Sequence, residues 1–356
     1  MTRATHIVSA TARRLDVPMR KAFGIAGGAQ EHAGNVLVTV ELASGVRGYG
    51  EGAPFPAFNG ETQQAVLEAL DAALPAMVDW SVAEGFDLAE HLDLGGLGSA
   101  RCAVETAIVD AHARATGRSL HAYFGGATTS LVTDVTITTG TPEEAAHEAR
   151  AFAAFRTLKI KVGGRDVDRD VARVLAVHAA RPDARLMLDA NGGFSPDEAV
   201  LLASELARHD VRPHVFEQPI AAGDWDALAE VRARMGLYVA LDESITSAAD
   251  VALAKQRGAA DAVNIKIMKS GVFEALAIAR AAHAAGLDRM IGGMVETRLA
   301  MGASASIAAG LGGFTIVDLD TPLFLAEDPF DGGYGYEGDR IELQAIALGH
   351  GCTPRT

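Results

Sequence analysis

From residue 161 onward, polar groups stand at nearly even intervals at the ends of short apolar runs. Asp189 follows Lys161 by 28 residues, Glu217 follows Asp189 by 28, Asp242 follows Glu217 by 25 and Lys266 follows Asp242 by 24. Each interval has room for one strand, one helix and their turns, and the residues inside it read that way. Strand-like runs at 132–138, 157–162, 185–189, 214–217, 238–242, 262–266, 289–292 and 315–318 alternate with helical patterns such as 142–155, 167–180 and 196–208. A βα unit of steady length repeated about eight times predicts an α/β fold of the (β/α)8 barrel type. An open doubly wound sheet is the competing architecture, but no Gly-rich phosphate fingerprint follows the first strand.

The flanks have a different rhythm. His6 to Glu51 reads as antiparallel strands, with residues 35–42 the clearest and Ala43-Ser44-Gly45 its turn. Arg20 to Gly34 and Gly50 to Glu61 carry turn chemistry around aromatic residues and are expected to be lid loops, or else plain surface loops. From Thr62 to Gly117 the period becomes helical, with Ser99 the expected N-cap and Gly117 the C-cap of a helix. Short-strand character resumes after Glu327. The expected organisation is an α+β capping domain with its lid loops at 1–125, a barrel at 126–326, and a return of 327–356 to the capping domain.

Bulk properties narrow the partners. A net charge of -15 argues against nucleic acid and against an anionic membrane surface. The two cysteines, Cys102 and Cys352, form no CxxC pair, which fits a reducing compartment and excludes a thiolate metal site. The chain has no run of eighteen apolar residues and no signal-like start, so a cytoplasmic protein without membrane association is expected.

Chemistry concentrates at the predicted strand ends. In Leu158-Lys159-Ile160-Lys161-Val162 both ammonium groups share one face of a strand. Like charges side by side are expected to lower a lysine pKa toward use as a base, whereas a half-exposed strand would turn them to water. Asp189, Glu217 and Asp242 end successive strands, and strand ends of a barrel converge on one mouth. One such Asp alone would be an ordinary helix cap. Three hard oxygen ligands at the barrel period instead suit Mg2+. Lys266 ends the sixth strand, across the barrel from Lys161, so the two amines are expected to approach a bound substrate from opposite faces. Lys269 lies beyond the strand and is expected to face solvent or a helix end.

These residues resemble the enolase superfamily in its muconate-lactonizing branch, through the Lys-x-Lys strand, the Asp/Glu/Asp triad and the second lysine, and the resemblance spans nearly the whole chain. It implies that the metal binds a substrate carboxylate and stabilises the enediolate left when the α-proton is abstracted. It further implies that Glu243, in Asp-Glu-Ser, supports the ligands rather than joining them. Asp318 and Asp320 stand two apart at the eighth strand, where both can face the mouth and attract an ammonium group, unless they merely cap the next turn. This Asp-x-Asp is similar to that of the branch's dipeptide epimerases, which implies that it holds the free amino end of a dipeptide. The same resemblance puts Thr136, Lys159 and Gly293 against the substrate.

The implied reaction is epimerisation of an L,L-dipeptide at its C-terminal residue by two-base 1,1-proton transfer. Family members acting on Ala-Glu carry an arginine where this chain has Gly24. Phe23, Ile25, Phe55 and Phe58 point instead to an apolar side-chain pocket, although Arg20 or Lys21 could serve an acidic one. The rivals are an o-succinylbenzoate synthase or cycloisomerase of the same branch, and a barrel that binds without catalysis. The expected partner is a small-molecule dipeptide, and the expected assembly a homo-oligomer.

Overall fold

A computed structural model describes residues 3–25, 28–164 and 166–355. The chain opens with a meander of β1 (Ile7–Ile25), β2 (Gly28–Leu42) and β3 (Arg47–Gly52), antiparallel throughout. The expected loop at 20–34 is strand over its described part: Phe23 pairs with Gln30 and Gly24 with Ala29, beyond a register shift after Pro18. Small residues weaken a strand but do not forbid a two-stranded ribbon, since its ladder uses only backbone. The side chains of Phe23 and Ile25 lie outside the described residues.

Two helices cover the meander. The first, α1 (Gln63–Ala73), is capped by Thr62, whose side chain accepts from Ala65 N. The second, α2 (Gly98–Ala115), begins one residue before Ser99, so Ser99 is not its N-cap. Its first amides are met from far along the chain, with Gly98 N and Ser99 N donating to the Glu61 carboxylate at 2.7 and 3.1 Å. Gly117 takes φ +71 just past the end, as a left-handed helix stop requires.

The eight expected barrel strands are present as one sheet, in sequential order. The first is shorter than its apolar run, because residues 130–138 divide into two pieces. Here β4 (Ser130–Val132) pairs with the C-terminal tail, and β5 (Val135–Ile137) begins the barrel. The others are β6 (Thr157–Lys161), β7 (Arg185–Asp189), β8 (Val215–Glu217), β9 (Val239–Leu241), β10 (Ala262–Ile265), β11 (Asp288–Ile291) and β12 (Phe314–Val317). Between them run α3 (Pro142–Ala151), α4 (Val167–Ala180), α5 (Pro196–Arg208), α6 (Trp225–Met235), α7 (Ala248–Arg257), α8 (Val272–Ala285) and α9 (Arg298–Leu311). The seam between β12 and β5 is held by Asp134 N donating to Val317 O at 3.0 Å, and by Leu319 N donating to Thr133 Oγ1 at 2.9 Å.

After β12 a 3-10 turn, Thr321–Phe324, leads into β13 (Phe330–Gly332), β14 (Gly335–Glu337), β15 (Arg340–Glu342) and β16 (Cys352–Pro354). The tail lies against both earlier regions. β15 pairs with β4, while His350 N donates to Asp110 of α2 at 2.9 Å. Among the described residues no helix is long and apolar enough to cross a membrane.

Candidate active site

Strand alternation builds the site in two layers. Met187, Val215, Ala240, Ala262, Met290 and Ile316 form a separate apolar cluster inside the barrel. Two residues further along each strand, the same inward face carries Asp189, Glu217, Asp242, Asn264, Gly292 and Asp318. The apolar layer thus plugs the barrel, and the polar layer sits on it at the strands' C-terminal ends. Register puts Lys161 beside Asp189 and Asp189 beside Glu217.

All three carboxylates of the expected metal triad are fully buried. The lysines of the site lie against them. Lys161 Nζ donates to Asp189 Oδ2 at 2.6 Å and Lys266 Nζ to Asp242 Oδ2 at 2.5 Å, at opposite ends of the row. Lys159 lies 3.5 Å from both Asp189 and Glu217 and bonds to Asp318. Asn264 Nδ2 donates to Glu217 Oε1 at 2.6 Å, while Glu217 Oε2 has no hydrogen-bond partner. That oxygen, met only by the Lys159 ammonium at 3.5 Å and beside two more carboxylates, belongs to the kind of donor set a hard divalent ion takes. The donor chemistry of the expected triad is of the kind Mg2+ takes.

The charges do not behave as the Lys-x-Lys pattern alone predicts. Burial disfavours a charge on Lys159, but Asp318, Glu217 and Asp189 outweigh it and hold the ammonium well above its ordinary pKa. Lys266 is likewise raised, burial being outweighed by Asp242 and then Glu217. Lys159 is therefore raised rather than lowered, because carboxylates from neighbouring strands surround its ammonium. Among those carboxylates the effects divide. Burial, with Asp189 next to it, pushes Glu217 up to about 7. Burial acts the same way on Asp242, yet Lys266 and Lys269 hold that carboxyl low.

Lys269 does not face solvent. Its ammonium donates to Asp242 O, Asp242 Oδ1 and Asn264 O at 2.6, 2.8 and 2.9 Å, because the single turn 267–270 folds it back under the strand ends. Other supports were not singled out from the sequence. Gln218, at a strained φ of +33, accepts from Asp242 N at 3.0 Å and donates to Ser244 Oγ at 2.8 Å. Asn191, at φ +44, accepts from Lys161 and donates to Glu243 Oε1 at 3.1 Å. Non-glycine residues at positive φ next to strand-end carboxylates were the signal, and only coordinates display it.

A cavity over the row is lined by Thr136, Lys159, Lys161, Lys266, Gly293, Asp318 and Asp320, together with Asn191, Met294, Thr321, Phe55 and Phe58. Phe58 lies under the Lys266 ammonium at 4.9 Å. Gly293 is closely covered, since a Cβ there would lie 2.3 Å from Met301 Cε and the methionine side chain would have to shift. Gly24 abuts Thr139, 2.4 Å from where its Cβ would be. Arg20 Nε donates to Leu325 O at 2.9 Å, and Lys21 pairs with Glu148 at 2.5 Å. A larger hollow of ≈ 440 Å³ opens at the other end of the barrel around Arg156, Arg185 and His214. It lies at the strands' N-terminal ends, away from the acidic row, where barrels do not place their chemistry.

Comparison with known proteins adds two family matches. Residues 7–125 match the mandelate racemase / muconate lactonizing enzyme N-terminal domain, and residues 143–356 match the enolase C-terminal domain-like family. An aromatic dipeptide epimerase of Herpetosiphon aurantiacus is 43% identical over 351 residues, covering 98% of both chains. A hydrophobic dipeptide epimerase of Citrifermentans bemidjiense is 36% identical over 361 residues, again covering 98% of both. The solved dipeptide epimerase of Enterococcus faecalis, complexed with Mg and L-Leu-L-Tyr, superposes with a TM-score of 0.93 at 31% identity, covering 98% of this chain and 99% of that one.

Proposed function

The chain belongs to the mandelate racemase / muconate lactonizing enzyme family of the enolase superfamily, and from that premise we propose that it is a Mg2+-dependent epimerase of L,L-dipeptides. The observation that carries this reading is the acidic row with one lysine at each end, Lys161 at Asp189 and Lys266 at Asp242.

Mg2+ held by Asp189, Glu217 and Asp242 would supply electrostatic stabilisation for the negative charge that develops on the substrate carboxylate when its α-proton leaves. Lys161 takes or delivers a proton at one face of the α-carbon, and Lys266 does so at the other. Both must first leave the carboxylates they are paired with. Asn191 steadies Lys161 and links it to Glu243. Lys159, Thr136 and the backbone at Gly293 complete the walls around the substrate. Asp318 and Asp320 take the amino terminus, which fixes the α-carbon of the second residue between the lysines.

Phe55, Phe58 and Met294 give the cavity apolar surface that suits a hydrophobic side chain. Arg20 and Lys21 are engaged elsewhere, and position 24 carries no side chain. The aromatic and hydrophobic dipeptide epimerases among the relatives support the same preference. An o-succinylbenzoate synthase or cycloisomerase would share the lysines and the metal but would have no use for two aspartates facing an ammonium group.

A library of L,L-dipeptides incubated with enzyme and Mg2+ in D2O tests the proposal. Hydrophobic dipeptides should gain one deuterium at the C-terminal α-carbon and invert there. A library without exchange at any member would refute it.

A further inference from the structure

Asp134 is 2% exposed, and neither of its carboxylate oxygens has a hydrogen-bond partner. It precedes β5, where the seam to β12 brings it beside Asp318, and one oxygen each of Asp134, Asp318 and Asp320 lie within 4.8 Å of one another. Lys159 bonds to Asp318 and is shared with Asp189 and Glu217, while Thr136 N donates to Asp320 Oδ2 at 2.6 Å. Among the described residues no further donor reaches the group, since the buried Thr136 hydroxyl makes no hydrogen bond. Three ionised carboxyls so placed would have no proton among them to bond with, and one shared ammonium could not balance them.

We propose that Asp134 is kept as a neutral acid that donates its proton to the Asp318–Asp320 pair, and so holds that pair facing the cavity as the binding site for one substrate ammonium. The assignment rests on the dipeptide reading above. Burial, with Asp318 next in strength, pushes the Asp134 carboxyl well above the usual range, in the same direction. With Asp134 neutral, Asp318 and Asp320 remain the anionic pair, only partly met by the shared Lys159, and so keep negative charge for an amino terminus to meet. Asp134 does not line that cavity, so it is a positioning residue.

Two variants test this, using a hydrophobic dipeptide that the wild type epimerises. Asp134→Val removes the donor and should raise KM about tenfold or more, as loss of a hydrogen bond to a charged group does, with kcat falling less. Asp134→Asn keeps a donor of the same shape and should raise KM only about threefold. Calorimetric Mg2+ titration should give one site per chain in all three proteins. The assignment is overturned by an unchanged KM in Asp134→Val, by a KM in Asp134→Asn raised about tenfold or more, or by a second Mg2+ site that Asp134→Asn removes. If Asp134→Val does not fold, the size of the Asp134→Asn effect decides alone. Wild-type enzyme that turns over no dipeptide would overturn the epimerase reading and the subsite with it. Turnover with an unaffected Asp134→Val would overturn the subsite alone.

Discussion

Asp242 shows how completely one side chain can be fixed before any ligand arrives. Its amide is held by Gln218, one carboxylate oxygen by Lys269 and the other by Lys266. Lys269 spends three hydrogen bonds on Asp242 and the neighbouring Asn264 carbonyl, and so acts as a fixed cation tying β9 to β10. Lys161 and Lys266, by contrast, are aimed at the cavity. Under the two-base reading, Lys161→Ala and Lys266→Ala each abolish epimerisation, a loss of at least about 10²-fold. Chiral chromatography of the dipeptide after incubation measures it. Stereochemical turnover retained in either variant would defeat the assignment.

A strand and a helix set the capping domain by direct backbone approach. Gly48, Gly50 and Gly52 share one face of β3, and Ser99, Ala103, Ala107 and Ala111 run down one face of α2. Two residues of strand and four of helix advance by about the same distance, roughly 6–7 Å, so the small groups stay in step. A Cβ at Gly50 would lie 1.9 Å from Ala103 O, and backbone cannot step aside as a side chain can. Gly50→Ala is therefore expected to destabilise the protein by about 1–3 kcal/mol, read as a lower urea midpoint. An unchanged midpoint would mean that the helix is not seated on this strand.

Across the whole molecule, buried carboxylates join the capping domain to the barrel. Glu51 of β3 accepts from Thr297 N, Thr297 Oγ1 and Ala300 N, and so caps α9 from outside. Glu105 of α2 accepts from Phe273 N in the first turn of α8 at 3.0 Å. Burial pushes Glu105 up to about 7 from an ordinary 4.5. The folded chain then binds this proton more tightly than the unfolded chain does. The group's contribution is complete below about 4.5 and is lost as pH rises through about 7, by up to about 3 kcal/mol. Glu105→Gln keeps an acceptor without ionising. Wild type should lose stability relative to that variant between pH 4.5 and 7 in parallel thermal melts, and a constant gap would contradict this.

By itself the sequence determined the architecture and the rows of chemical groups, because strand alternation and the βα period are local properties. Lys161, Asp189, Glu217, Asp242, Lys266, Asp318 and Asp320 could be set on strand ends facing one mouth from spacing alone. What the period could not carry was anything that depends on residues meeting across the chain. Lys269 turns back under Asp242, Glu61 rather than Ser99 meets the first amides of α2, and Asp134 reaches Asp318 only where the sheet's two edges join. Charge was the quantity least accessible to local reading: Lys159 and Lys161 alone predict repulsion, while the folded chain sets the Asp189 carboxylate of the adjacent strand against both. Electrostatic effects follow distance in space, and only the closed barrel decides which charges are near.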